Sequence, residues 1–268
     1  MIYTVQGAPL YAYTGGKSFD PQQPTVVFIH GVLNDHSVWI LQSRYFANHG
    51  WNVLAIDLPG HGKSGGKAPA SVQSAAQTIM ALLDAAGVEK AALMGHSFGS
   101  LIAMHAAAEN PTRVTQLVMA ATAYPMKVSP ALLENSLNAP EKAIHMFTVF
   151  SHSTLAPPPS ALGPGTWVFG GGKALMRRVL ASNPHENIFH IGFKACNEYD
   201  QGEVKMPKVQ CPTLFLLASK DQMTQPKAAQ GLIQWAQQGQ VKFVNAGHQL
   251  MVEAPEETLK AMVDFCQK

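Results

Sequence analysis

Six strand-length apolar runs dominate the chain, at residues 25–29, 53–56, 91–94, 114–120, 213–218 and 241–244, and helix-like segments separate most of them. Runs that are mostly apolar, with little alternation, fit strands covered on both faces. Strand and helix in turn indicate a parallel sheet between helices, since each parallel crossover must return over one face. Upstream, residues 2–5 and 10–13 flank Gly7 and Pro9 and suggest a small hairpin. The clearest helix covers residues 71–86, where Val72, Ala75, Ala76, Ile79, Met80, Leu82, Leu83 and Ala86 recur at three and four, with Ser71 placed to cap it and Gly87 to stop it.

The alternation breaks between about Met126 and Met206, a region with several prolines and the triplets Pro157-Pro158-Pro159 and Gly170-Gly171-Gly172. The chain therefore divides into a core of residues 1–125 and 207–268 and an inserted cap of residues 126–206 over the strand ends. The cap carries Met126, Met146, Phe147, Phe150, Trp167, Phe169, Met176, Phe189 and Phe193. Helix packing accounts for any one of these; together they suit an adaptable pocket lid.

Composition narrows the partners. Of 268 residues, 47% are hydrophobic and only 13% charged, below the roughly 25% charged of ordinary soluble domains, so much of the chain is interior or pocket lining. Nineteen basic against seventeen acidic side chains, without a run of like charge, offer nucleic acid or an acidic membrane no landing patch. The three cysteines, Cys196, Cys211 and Cys266, are odd in number and unclustered, which argues against a disulfide framework. The N-terminal stretch lacks the features of a signal peptide and no apolar run approaches a membrane span, so the expected location is the cytoplasm.

Between an apolar strand and an apolar helix the chain reads Gly95-His96-Ser97-Phe98-Gly99. Glycine and serine are common turn residues, so the pentapeptide alone admits a plain turn. Its context, after the strand at 91–94 and before a helix at 98–109, is the one a nucleophile elbow requires. A sharp strand-to-helix turn strains the serine backbone, and flanking glycines let the two elements approach closely. A serine nucleophile needs a base. Gly247-His248 follows the strand at 241–244 and precedes the helix begun by Pro255, which puts His248 at the same carboxyl edge of the sheet as Ser97. The acid that orients the imidazole is expected from a third strand end, and Asp221 follows the strand at 213–218. Asp57 is the competitor, but it precedes the serine and lies in a turn-rich segment that it is better placed to brace; Glu253 is too near His248 to come from a separate strand end. The oxyanion donors are expected to be the backbone N–H groups of Phe98 and of Val32, in the loop His30-Gly31-Val32, where His30 has a loop-orienting part.

His30-Gly31, the stretch from Asp57 to Ser64, Gly95-His96-Ser97-Phe98-Gly99, Asp221 and Gly247-His248 together resemble the α/β-hydrolase family over nearly the whole chain outside the cap. The resemblance implies an eight-stranded, mostly parallel sheet flanked by helices, with a helical cap inserted after strand 6, and is strongest to small capped esterase-like members. The expected protein is a cofactor-free serine hydrolase, a carboxylesterase acting on small-molecule esters of short to medium apolar acyl groups through an acyl-enzyme. The same triad serves carbon–carbon cleavage of a β-diketone, lactone opening and perhydrolysis, and a non-catalytic small-molecule receptor could be built on the same fold. Gly62-Lys63-Ser64 is no phosphate loop, because Asp57 stands where that motif needs glycine. The eleven histidines include no H-E-x-x-H and no Cys/His cluster, so no metal is expected.

Overall fold

The computed structural model describes residues 1–153 and 167–267. Eight strands form one sheet: β1 (Ile2–Val5), β2 (Ala8–Tyr13), β3 (Thr25–Ile29), β4 (Asn52–Ile56), β5 (Ala91–His96), β6 (Val114–Ala120), β7 (Thr213–Ala218) and β8 (Gly239–Val244), in the order β1-β2-β4-β3-β5-β6-β7-β8. Strands β1 and β2 are antiparallel and β2 meets β4 antiparallel; every later pairing is parallel. The hairpin turns at Gln6 and Gly7, both at positive φ (50° and 80°), the pairing of signs that matches strand twist in a two-residue turn. It does not stand apart: β2 joins the large sheet beside β4.

Helices cover both faces. Along each central strand successive side chains enter opposite cores: Val27, Ile29, Leu54, Ile56, Leu93, Leu117 and Phe215 face one, Val26, Phe28, Val53, Ala55, Ala92, Val118 and Leu214 the other. The first core is closed by α2 (Val72–Ala85) and α3 (Phe98–Glu109), and the second by α1 (Ile40–Asn48) and α11 (Pro255–Cys266). Ser71 caps α2 by accepting the Ser74 N–H at 3.1 Å, while the Ser74 hydroxyl lies 3.3 Å from the Ser71 N–H in return, and Gly87 at φ 67° ends the run.

Between β6 and β7 stand α4 (Pro130–Asn138), α5 (Pro140–Ser151), α6 (Val168–Ala181), α7 (Ile188–Glu198) and the short α8 (Gly202–Lys205). The Pro157-Pro158-Pro159 triplet lies outside the described residues. Gly170-Gly171-Gly172 lies inside α6, although glycine weakens helices. At Gly170 a β-carbon would meet the Trp167 ring at 2.2 Å, so the glycine lets that ring fold onto the helix. The short α9 (Gln230–Trp235) and α10 (Leu250–Glu253) complete the chain. One strand departs from expectation. The run at 241–244 reads as a buried strand, yet Val241 is 38% and Phe243 63% exposed, because β8 is the sheet edge and one of its faces is uncovered.

Candidate active site

The loops after β3, β5, β7 and β8 all leave the carboxyl edge of the sheet, and they carry Val32, Ser97, Asp221 and His248 respectively. Ser97 joins β5 to α3 at φ 54° and ψ −119°, a conformation L-residues seldom adopt. Local contacts fix it there: its N–H donates to the Ala120 carbonyl at 2.9 Å, and its carbonyl accepts the Ser100 N–H at 2.8 Å and the Ser100 hydroxyl at 2.5 Å. The glycine spacing has a steric cause. A β-carbon on Gly95 would lie 2.0 Å from the Gly99 carbonyl oxygen, and one on Gly99 would lie 2.3 Å from the Ile29 carbonyl oxygen.

The loop after β3 passes directly over the elbow, where a β-carbon on Gly31 would lie 3.2 Å from Ser97 Cβ. His30, fully buried, donates from Nδ1 to the Gly31 carbonyl at 2.8 Å and accepts the Leu58 N–H at Nε2 at 3.0 Å. The Asn34 N–H reaches the same Gly31 carbonyl at 3.3 Å. Because a trans peptide sets its N–H opposite its C=O, anchoring that carbonyl also aims the Val32 N–H the other way. The Phe98 N–H, at the first turn of α3, has no acceptor within its helix.

His248 Nδ1 lies 2.8 Å from Asp221 Oδ2, both side chains being sealed from solvent. Asp221 Oδ1 accepts the N–H groups of Met223 and Thr224, each at 2.8 Å. Burial alone would raise the Asp221 carboxyl, but the His248 imidazole and the Thr224 donors outweigh it and hold the group below the ordinary aspartate value. Thr224 is the part that sequence reading missed. Its signal was the D-x-x-T spacing from Asp221, which lets one carboxylate accept two successive N–H groups.

Asp57 lies elsewhere. Its Oδ1 accepts the His36 N–H at 2.8 Å and pairs with His36 Nδ1 at 2.6 Å, and its Oδ2 accepts the Lys63 N–H at 2.9 Å, so it braces the loop after β4. The fold also brings Asp35, His36 and Asp57 to within 4.8 Å of one another, a grouping that sequence spacing did not suggest. Arg178 already pairs with Asp35 at 2.7 Å, and Ser37 and Lys63 take further oxygens of the two carboxylates. Glu253 accepts the Gly247 N–H at 3.2 Å at one oxygen, and the Ser153 N–H at 2.9 Å and the Ser153 hydroxyl at the other, tying the His248 loop to the end of α5.

Ser97 and His248 line a cavity of about 260 Å³. Its wall is mostly apolar and comes largely from the segment between β6 and β7, with Met126, Leu132, Met146, Phe147, Phe150 and Phe193, joined by Val32 and Met223. Helix α7 closes on the loop after β3, since a β-carbon on Gly192 would lie 3.2 Å from Val32 Cγ1. Among the cap residues singled out by sequence, Phe189 packs in the core and Trp167 and Met176 line a smaller neighbouring cavity of about 160 Å³.

Residues 24–146 match the family model described as the alpha/beta hydrolase fold. The chain has the α/β-hydrolase fold. It is 35% identical to lipase LipV of Mycobacterium tuberculosis over 104 residues, which are 38% of this chain and 39% of that protein, so the match spans well under half of either. Its structure superposes on an enol-lactonase from Burkholderia xenovorans LB400 with a TM-score of 0.83 at 19% identity, covering 100% of both chains. An esterase from Exiguobacterium antarcticum gives a TM-score of 0.84 at 18% identity, covering 100% of this chain and 99% of that one. Among the described residues no helix is long and apolar enough to cross a membrane.

Proposed function

We propose that the protein is a serine hydrolase that cleaves carboxylic esters of short to medium apolar acyl groups through an acyl-enzyme. The observation that carries this reading is the shared cavity: Ser97 on its strained elbow and His248 backed by a sealed Asp221 line one mostly apolar space. His248 Nε2 takes the proton as Ser97 Oγ attacks the ester carbonyl, and Asp221 holds the imidazole in the tautomer that leaves Nε2 free and stabilises the imidazolium. The N–H groups of Val32 and Phe98 receive the oxyanion. The tetrahedral intermediate collapses, the alcohol leaves with the proton returned by His248, and water repeats the sequence on the acyl-enzyme to release the acid. The match of residues 24–146 to the alpha/beta hydrolase fold model supports hydrolysis as the reaction class.

Substrate size follows from the wall. Each methylene buried against Met126, Leu132 or Phe193 contributes roughly 0.8 kcal/mol until the chain meets the end of the cavity. On p-nitrophenyl esters kcat/KM should therefore peak at short to medium acyl length and fall toward palmitate, with Ser97 labelled by a fluorophosphonate. A maximum at palmitate would refute the closed-pocket reading, and a wild-type enzyme that resists the fluorophosphonate would refute the serine mechanism. Feeble ester turnover beside rapid cleavage of a lactone or a β-diketone would transfer the assignment to those reactions on the same residues.

A further inference from the structure

His96 stands between Gly95 and Ser97, so β5 delivers its ring to the base of the elbow, where it is 1% exposed. Its Nε2 lies 2.8 Å from the backbone carbonyl of His248, and the two rings are 4.8 Å apart, tilted by 50°. A carbonyl oxygen only accepts. Nε2 must therefore carry the proton, which leaves Nδ1 as a bare lone pair. That lone pair has no hydrogen-bond partner among the described residues. A complementary orphan stands nearby: Trp39, fully buried, meets the His96 ring edge-on at 6.4 Å between centroids, and its Nε1–H also lacks a partner. Three residues further along the chain, Gln42 is fully buried with both amide atoms unmet. Unsatisfied buried polar atoms are rare, and internal water is what commonly satisfies them.

We propose that His96 is a positioning residue for the His248 base, and that an internal water accepting from Trp39 Nε1–H and donating to His96 Nδ1 meets the lone pair left bare while Nε2 grips the His248 carbonyl. The part in catalysis rests on the serine-hydrolase reading; the tautomer and the water do not. Burial, with the neighbouring His248 adding to it, pushes the His96 pKa down to about 3, so the ring stays neutral where the enzyme works and its partners alone set the tautomer. A β-carbon on Gly31 would lie 3.0 Å from His96 Nδ1, so the ring is wedged between the oxyanion loop and the loop that carries the base.

Nitrogen-15 NMR of the full chain, with labelled histidine, reads the tautomer directly. Wild-type His96 should show a protonated Nε2 and a bare Nδ1 at pH 7, and Trp39→Phe, which keeps a ring but removes the donor that holds the water, should shift the Nδ1 resonance while Nε2 stays protonated. A protonated Nδ1 in the wild type overturns the proposal, as does an Nδ1 resonance that Trp39→Phe leaves unmoved. In kinetics His96→Leu should lower kcat by about tenfold to a hundredfold with KM within about twofold, because a misplaced base slows chemistry rather than binding. His96→Gln, whose amide N–H can still reach the His248 carbonyl, should recover much of that loss. A loss confined to KM, or none, in folded His96→Leu overturns the proposal, and if that variant fails to fold the NMR result still decides. A wild-type enzyme unlabelled by fluorophosphonate removes the serine-hydrolase reading alone, leaving the tautomer to be judged on its own spectrum.

Discussion

The Thr224 hydroxyl stands 2.7 Å from Asp221 Oδ2 and 3.1 Å from His248 Nδ1, so Asp221 and His248 share one neutral partner, which also reaches the Ala121 carbonyl at 2.9 Å. Ala121 belongs to the loop after β6, the strand next to β5, which leads to Ser97. Thr224 thus ties three strand ends together. Thr224→Val keeps the shape and removes the hydroxyl, so it should lower kcat by about tenfold and destabilise the fold by about 1–2 kcal/mol, while Thr224→Ser restores most of both. Steady-state kinetics beside urea unfolding checks this, and full activity in the valine variant would contradict it.

Ser97→Ala should fold as the wild type does, because the elbow is held by backbone contacts to Ala120 and Ser100 that the substitution leaves in place. Its kcat on a p-nitrophenyl ester should fall by a factor of about 10³ or more. Retention of a tenth of the wild-type rate would show that another residue is the nucleophile.

Asp221 and Asp57, both buried, should separate cleanly. Asp221→Asn leaves the shape but favours the wrong imidazole tautomer, so kcat should fall by about 10⁴ with little change in melting temperature. Asp57→Asn weakens the bonds to His36 and to the Lys63 N–H and should act through stability, by about 1–3 kcal/mol, with kcat nearly kept. Melting curves and rates on both variants decide, and the reverse pattern would move the acid to Asp57.

Acid should destabilise the protein well before its carboxylates titrate. His61 and His96 are fully buried, and burial first, then a neighbouring histidine, pushes each pKa down to about 3. Between the ordinary histidine value and that depressed one, the unfolded chain binds protons that the folded protein refuses, so stability falls as pH falls. At pH 5 the loss relative to pH 7 should be on the order of 2 kcal/mol for each ring. Urea unfolding at the two pH values measures the total, and His61→Gln should remove on the order of 2 kcal/mol of it. Equal stability at both values would mean that the rings gain protons in place.

What could be read from the sequence was what the chain decides locally. The elbow is legible because its steric demand falls on Gly95 and Gly99, within two residues of Ser97, and the sheet because continuous apolar runs admit few alternatives. Ser71 and Gly87 bound α2 because caps act over one turn. The contacts made across the chain were not legible: Glu253 with Ser153, or Arg178 with Asp35, join residues about a hundred or more positions apart that no spacing rule relates. Phe243 misleads for a similar reason, since an apolar run does not say whether its strand will have a neighbour. The fold alone decides that.

Glu253 holds both Gly247, the neighbour of His248, and Ser153 at the end of α5, and the Gln249 N–H donates to the Ser151 carbonyl at 3.1 Å. The segment that walls the cavity is therefore stitched to the loop that carries His248. For protein engineering this makes the two inseparable. A chimera that exchanges the helices between β6 and β7 for those of a relative, to recruit a new substrate, would also change the anchorage of His248, and would need Ser151, Ser153 and Glu253 carried over as a set for the transplanted pocket to keep its chemistry.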